Sequence, residues 1–115
     1  MTTTRPAPTC QAALVLFRRH NLTGAAAALD SLGYIDQHTG HHDQAVHHYR
    51  QALTLCRAHG NTYFAANTLD RLGHAHVALG ERVAAEAVWQ EALELYRTQG
   101  RDHDAERVQV HLATP

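Results

Sequence analysis

An all-α fold of stacked antiparallel helix hairpins is what this sequence predicts, and three observations predict it. Residues 29–60 recur as residues 69–100 without a gap, glycines fall at Gly40, Gly60, Gly80 and Gly100, and the apolar residues between them are spaced for helices, not strands. The two copies share Leu29/Leu69, Asp30/Asp70, Leu32/Leu72, Gly33/Gly73, Ala45/Ala85, Ala52/Ala92 and Leu53/Leu93, and Tyr49 becomes Trp89. One hairpin alone cannot bury both apolar stripes, so each must be covered by the next.

Taken in order, residues 1–8 are expected to be a flexible tail, with Pro6 and Pro8 opposing helix before Thr9. A half-repeat helix follows over 10–19; Gln11-Ala12 aligns with Gln51-Ala52, and Leu14, Val15, Leu16 and Phe17 make it apolar nearly all round. The first full repeat spans 22–58 as helices near 22–38 and 41–58, carrying Leu29, Leu32 and Gly33, then Ala45, Tyr49, Ala52 and Leu53. The second spans 61–98 as helices near 61–78 and 81–98 with the equivalent residues. A polar capping helix over 102–112 closes the domain of 9–115. Loops of two or three residues make consecutive helices antiparallel neighbours. Small residues at Gly33 and Ala45, and again at Gly73 and Ala85, mark where two axes come closest, while Leu29, Leu32 and Tyr49 and their counterparts fill the remaining volume.

The motifs Leu29-x-x-Leu32-Gly33 with Ala45-x-x-x-Tyr49-x-x-Ala52, and Leu69-x-x-Leu72-Gly73 with Ala85-x-x-x-Trp89-x-x-Ala92, resemble the tetratricopeptide repeat. The period of 40 residues exceeds the usual repeat of about 34. Leucine stands at the usual first aromatic, Asp36 or His76 at the usual late tyrosine, and Arg57 or Arg97 at the usual terminal proline. The resemblance implies a right-handed superhelix. More narrowly, residues 69–80, 89–96 and 104–108 resemble the C-terminal repeat arrays of bacterial antibiotic-regulatory-protein-type transcription regulators, which implies a sensing or assembly arm of such a regulator.

The resemblance further implies a partner groove lined by the first helix of each hairpin: Ala27, Asp30, Tyr34, Gln37 and His38, then Asn67, Asp70, His74 and Val77. Asp30 and Asp70, if they face it, favour a partner segment that is basic or rich in hydrogen-bond donors; the plainer alternative is that they are solvated or paired with an arginine such as Arg71. The expected partner is a protein or peptide. A second hypothesis is homodimerisation through Leu14, Val15, Leu16 and Phe17.

Composition excludes other classes. The net charge of −1 and the scattered arginines give no case for direct nucleic-acid contact. No apolar run reaches the roughly 20 residues that cross a bilayer, so no membrane partner is expected, and the cytoplasm is the expected compartment. Cys10 and Cys56 are too far apart in sequence to suggest a bridge in that compartment. All ten basic residues are arginine, a bias suggesting a GC-rich genome.

Eleven histidines raise a remote metal alternative around His38, His41, His42, His47 and His48 with Asp36 and Asp43. There is neither a His-Glu-x-x-His helix nor a cysteine pair at zinc spacing, so no metal or other cofactor is expected. No phosphate loop or nucleophile elbow is present either, and the chain is not expected to be an enzyme.

Overall fold

The computed structural model describes residues 24–114 of the chain. The expected tail 1–8, the half-repeat helix 10–19 with Leu14, Val15, Leu16 and Phe17, and Cys10 lie outside the described residues.

Five helices follow one another: α1 over 24–38, α2 His42–His59, α3 Thr62–Ala78, α4 Arg82–Thr98 and α5 Asp102–Ala113. From α2 onward they run within a residue of the limits set by apolar spacing. Contacts join α2 to α3, α3 to α4 and α4 to α5 in series, the all-α helix-hairpin stack that the repeat predicts.

The turns share one construction. After α1, the N–H of His41 returns to the Asp36 carbonyl at 2.7 Å; Asn61 reaches Cys56 at 2.9 Å, Glu81 reaches His76 at 2.8 Å and Arg101 reaches Tyr96 at 2.8 Å. Each such bond spans a glycine in the left-handed region, with φ of 84° at Gly40 and 67° at Gly60. This is the Schellman closure, which satisfies carbonyls that a helix end leaves open. Asn61 adds a side-chain cap, accepting from the N–H of Phe64 at 3.1 Å.

Inside each hairpin an aromatic ring of the second helix lies flat against a glycine of the first. A methyl on Gly33 would stand 2.6 Å from Tyr49 Cε1, and on Gly73 2.1 Å from Trp89 Nε1. Ala45 and Ala85, both fully buried, allow the same approach. The exchange of tyrosine for tryptophan changes the polar anchor, because the two rings present donors at different places. The Tyr49 hydroxyl donates to Gln37 Oε1 at 2.8 Å, whereas the Trp89 indole N–H donates to the Asp70 carbonyl at 3.0 Å. His111 of α5 stacks on Trp89, and Arg82 lies 5.6 Å from the centroid of that ring. Arg82 also donates to the His111 carbonyl at 2.9 Å, fastening α5 to the second hairpin.

The two repeats differ in one respect that the sequence identity hides. Leu72 is 2% exposed, but Leu32, expected to fill the equivalent volume, is 45% exposed, with Ile35 at 55%. The physical reason is position in the stack. The positions of α3 equivalent to Ala25, Ala28, Leu32 and Ile35 are Ala65, Thr68, Leu72 and Ala75, and all four are buried where α2 packs on α3.

Not every histidine is a solvated surface group. His76 is 2% exposed, and its Nδ1 lies 2.7 Å from Glu81 Oε1. At the equivalent place in the first hairpin Asp36 meets His48 Nδ1 at 2.6 Å. Both contacts fasten the end of one helix to its hairpin partner. Cys56 is buried, and that burial pushes its thiol up.

Candidate partner-binding face

The aspartates shared by the two repeats end up below a face, not on it. Asp30 and Asp70 are 3% and 5% exposed. The Thr68 hydroxyl donates to Asp30 Oδ1 at 3.0 Å, and Arg71 donates to Asp30 Oδ2. One repeat further on, the Tyr96 hydroxyl donates to Asp70 Oδ2 at 3.0 Å, and Arg107 donates to the same oxygen. Each buried carboxylate of a hairpin's first helix is thus held by an arginine from the next hairpin's first helix, linking α1 to α3 and α3 to α5.

The arginines lie between core and solvent. Their side chains are 43% exposed for Arg71 and 47% for Arg107, against 5% and 7% for the carboxylates they hold. The surface left to a partner therefore presents guanidinium donors, and the preference for a basic segment drawn from Asp30 and Asp70 does not follow. Arg71 also lies over the exposed Tyr34 ring at 5.2 Å, and Arg101 over Tyr63 at 3.9 Å. Guanidinium suits this place because it offers several donors in one plane and stacks on aromatic faces.

Electrostatics follow the burial. Asp30 is raised above the ordinary carboxylate range because burial disfavours its charged form more than Arg71 and Thr68 favour it. The Tyr96 phenol is pushed up by burial and by the Asp70 carboxylate. For Arg107 burial acts downward, but the hydrogen bonds to Asp70 and Asp104 prevail and raise it further. His74 is lowered, chiefly by burial, with Asp70 opposing.

Two clefts open on this face. The first, about 410 Å³, lies between α1 and α3 and is lined by Ser31, Tyr34, Ile35 and Arg71. The second, about 250 Å³, lies between α3 and α5 and is lined by Asn67, Asp70, Arg71, His74, Tyr96 and Arg107. On the other side a cleft of about 290 Å³ among α2, α3 and α4 is lined by residues that include Leu53, Leu69, Leu72 and Val88, near the Arg57–Glu91 ion pair at 2.8 Å.

Of the nine residues expected to face a groove, Tyr34, Asn67, Asp70 and His74 line these two clefts. Ala27, His38 and Val77 are exposed but line neither, Gln37 is half-buried as the acceptor for Tyr49, and Asp30 is buried under Arg71. Sequence reasoning missed Arg107, Tyr96, Ser31 and Ile35 as lining residues, and named Arg71 only as a possible partner for an aspartate. A repeat-to-repeat comparison carries no signal for the two arginines: Arg71 stands opposite Ser31, and Arg107 opposite Asn67 and Ala27. Among the described residues no three His, Cys, Asp or Glu side chains converge as metal ligands.

Stacked hairpins with a continuous face of first helices define a helical-repeat scaffold of the kind that binds other proteins. A tetratricopeptide repeat family model matches residues 24–98. The chain belongs to the tetratricopeptide repeat family, and its repeats are a protein–protein interaction module. Comparison with curated proteins gives no match. No helix among the described residues is long and apolar enough to cross a membrane.

Proposed function

We propose that the face of α1, α3 and α5 holds an extended segment of a protein partner, and that the chain is the sensing or assembly arm of a bacterial transcriptional or signalling regulator working in the cytoplasm. The observation that carries the first part is the pair of clefts between successive first helices, walled by the half-exposed Arg71 and Arg107, with Asp30 buried under Arg71 and Asp70 deep in the second cleft. The regulator role and the bacterial assignment rest on the resemblance of residues 69–80, 89–96 and 104–108 to the repeat arrays of such proteins, and the arginine-only, alanine-rich composition adds only that the genome is GC-rich. The domain works by binding, not catalysis. It needs no cofactor and makes no direct nucleic-acid contact, in keeping with its net charge of −1.

A photo-crosslinking amino acid at Tyr34 or Ala27, compared with one at Val83, tests this reading. Val83 is 82% exposed on α4. Crosslinks to one partner in native lysate from Tyr34 and Ala27 but not Val83 are expected. Equal labelling from Val83 contradicts the assignment of the face.

A second reading is favoured by the exposure of Leu32 and Ile35. In this reading two copies associate through the exposed strip of α1, a variant of the homodimer expected through Leu14, Val15, Leu16 and Phe17, which lie outside the described residues. An exposed apolar strip in the place where the second repeat is covered is what such an interface requires.

A further inference from the structure

The cleft between α3 and α5 carries a pattern of donors and acceptors more specific than a general peptide face. Its floor includes Asp70, whose Oδ2 accepts from Tyr96 and Arg107. The other oxygen, Oδ1, is buried and has no hydrogen-bond partner among the described residues. The neighbouring His74 Nε2 stands 3.6 Å away, too far for a hydrogen bond. A buried acceptor left without a donor is costly, and a group that supplies the donor recovers that cost. Above it stand the half-exposed guanidiniums of Arg71 and Arg107, which are donors only.

We propose that this cleft takes a primary carboxamide, the side chain of an asparagine or glutamine on the partner segment. With the half-exposed His74 ring turned aside, its N–H reaches Asp70 Oδ1, and its carbonyl accepts from Arg71 or Arg107. The inference rests on the reading of this face as the partner-binding face. Other side-chain classes fit less well. A carboxylate satisfies the guanidiniums but brings a second negative charge against Asp70. An ammonium satisfies Oδ1 but faces two guanidiniums. A hydroxyl has its donor and acceptor on one atom and cannot span the two walls. The amide carries a donor and an acceptor on neighbouring branches of one short neutral group, whereas neutral imidazole, which also has both, sets them on opposite edges of a wider ring.

The test uses two probes of nearly equal shape, propionamide and propionate, titrated into the full chain at neutral pH. The Tyr96 and His74 ring resonances and the Asn67 side-chain amide report occupancy by NMR. Propionamide is expected to half-saturate these shifts at a concentration about tenfold lower than propionate, the discrimination of one made hydrogen bond against one repelled charge. Propionate binding as well as or better than propionamide overturns the inference and leaves the wider partner-binding reading standing. Absence of shifts with either probe also overturns it, whereas failure of that wider reading shows separately in the crosslinking pattern from Tyr34 and Val83. In a folded Asp70→Asn variant, verified by its thermal melt, the preference for propionamide should vanish; its persistence overturns the role given to Oδ1.

Discussion

Trp89 closes over Gly73 so tightly that a Cβ at that glycine would stand 2.1 Å from the indole nitrogen and 2.4 Å from Cε2. Alanine is the better helix former by about 1 kcal/mol, yet here the contact decides. The ring is fixed by its bond to the Asp70 carbonyl and covered by His111, so it cannot move aside cheaply. Gly73→Ala is expected to destabilise the domain by about 1–3 kcal/mol in urea unfolding. Gly33→Ala should cost less, because Tyr49 makes the longer contact of 2.6 Å and Leu32 beside it is already open to solvent.

The pair of Asp70 and Arg107 is expected to behave as a coupled unit. Asp70→Ala leaves Arg107 without one of its two carboxylates and Tyr96 without its closest acceptor, and should cost about 1–3 kcal/mol. Arg107→Met, which leaves the carboxylate buried, should cost a similar amount. The double variant should lose clearly less than the sum of the two, since neither group is then stranded. Additivity of the two losses in a double-mutant cycle would show that the contact carries no stability.

His74 makes acid destabilising. Burial lowers it below the ordinary histidine value of 6.5, against the pull of Asp70, with His111 and Arg107 adding to the lowering. In the window below 6.5 the unfolded chain then binds more protons than the folded one, so stability rises with pH and falls as the solution is acidified. Asp30 is raised, so its contribution has the opposite sign and lies in the acidic range above 3.8. A His74→Gln variant should therefore lose less stability than the wild type between about pH 7.5 and pH 5.5, read from denaturant midpoints at each pH. A parallel loss in both proteins would remove His74 as a cause.

Leu32 and Ile35 form the apolar strip that the second reading uses. If copies associate there, Leu32→Glu should give a monomer by sedimentation without lowering the unfolding midpoint much, because Leu32 is 45% exposed. A wild-type chain that is monomeric at all concentrations removes that reading.

The helices were legible because their signals are local. Glycines at Gly40, Gly60, Gly80 and Gly100, with apolar residues at helical spacing between them, define elements and hairpins from sequence alone. The close approach at Gly33 and Ala45, and at Gly73 and Ala85, was legible too, but not that the Tyr49 and Trp89 rings, expected to fill the remaining volume, lie against the glycines. What the sequence concealed depends on neighbours in the stack. Leu32 and Leu72 are the same residue in the same motif, and only the helix lying against them separates a surface leucine from a core one. The surroundings of the aspartates were only half legible for a related reason: pairing with Arg71 stood as one alternative, and the bond from Arg107 did not. Asp30 and Asp70 stand at first-helix positions, but their bonds run 41 and 37 residues onward to Arg71 and Arg107. An arginine that reaches across hairpins from a non-equivalent position leaves no trace in a repeat alignment, so Arg107 was hidden while the aspartates beneath were conspicuous.

The most direct test is the affinity of the partner recovered by crosslinking from Tyr34, measured against three arginine variants. Arg71→Ala and Arg107→Ala each remove a charged donor from the clefts, and each should weaken binding about tenfold or more. Arg57→Ala, on the opposite side beside Glu91, should leave the affinity unchanged. Equal weakening by Arg57→Ala, or unchanged affinity with the first two, would contradict a partner held between the first helices.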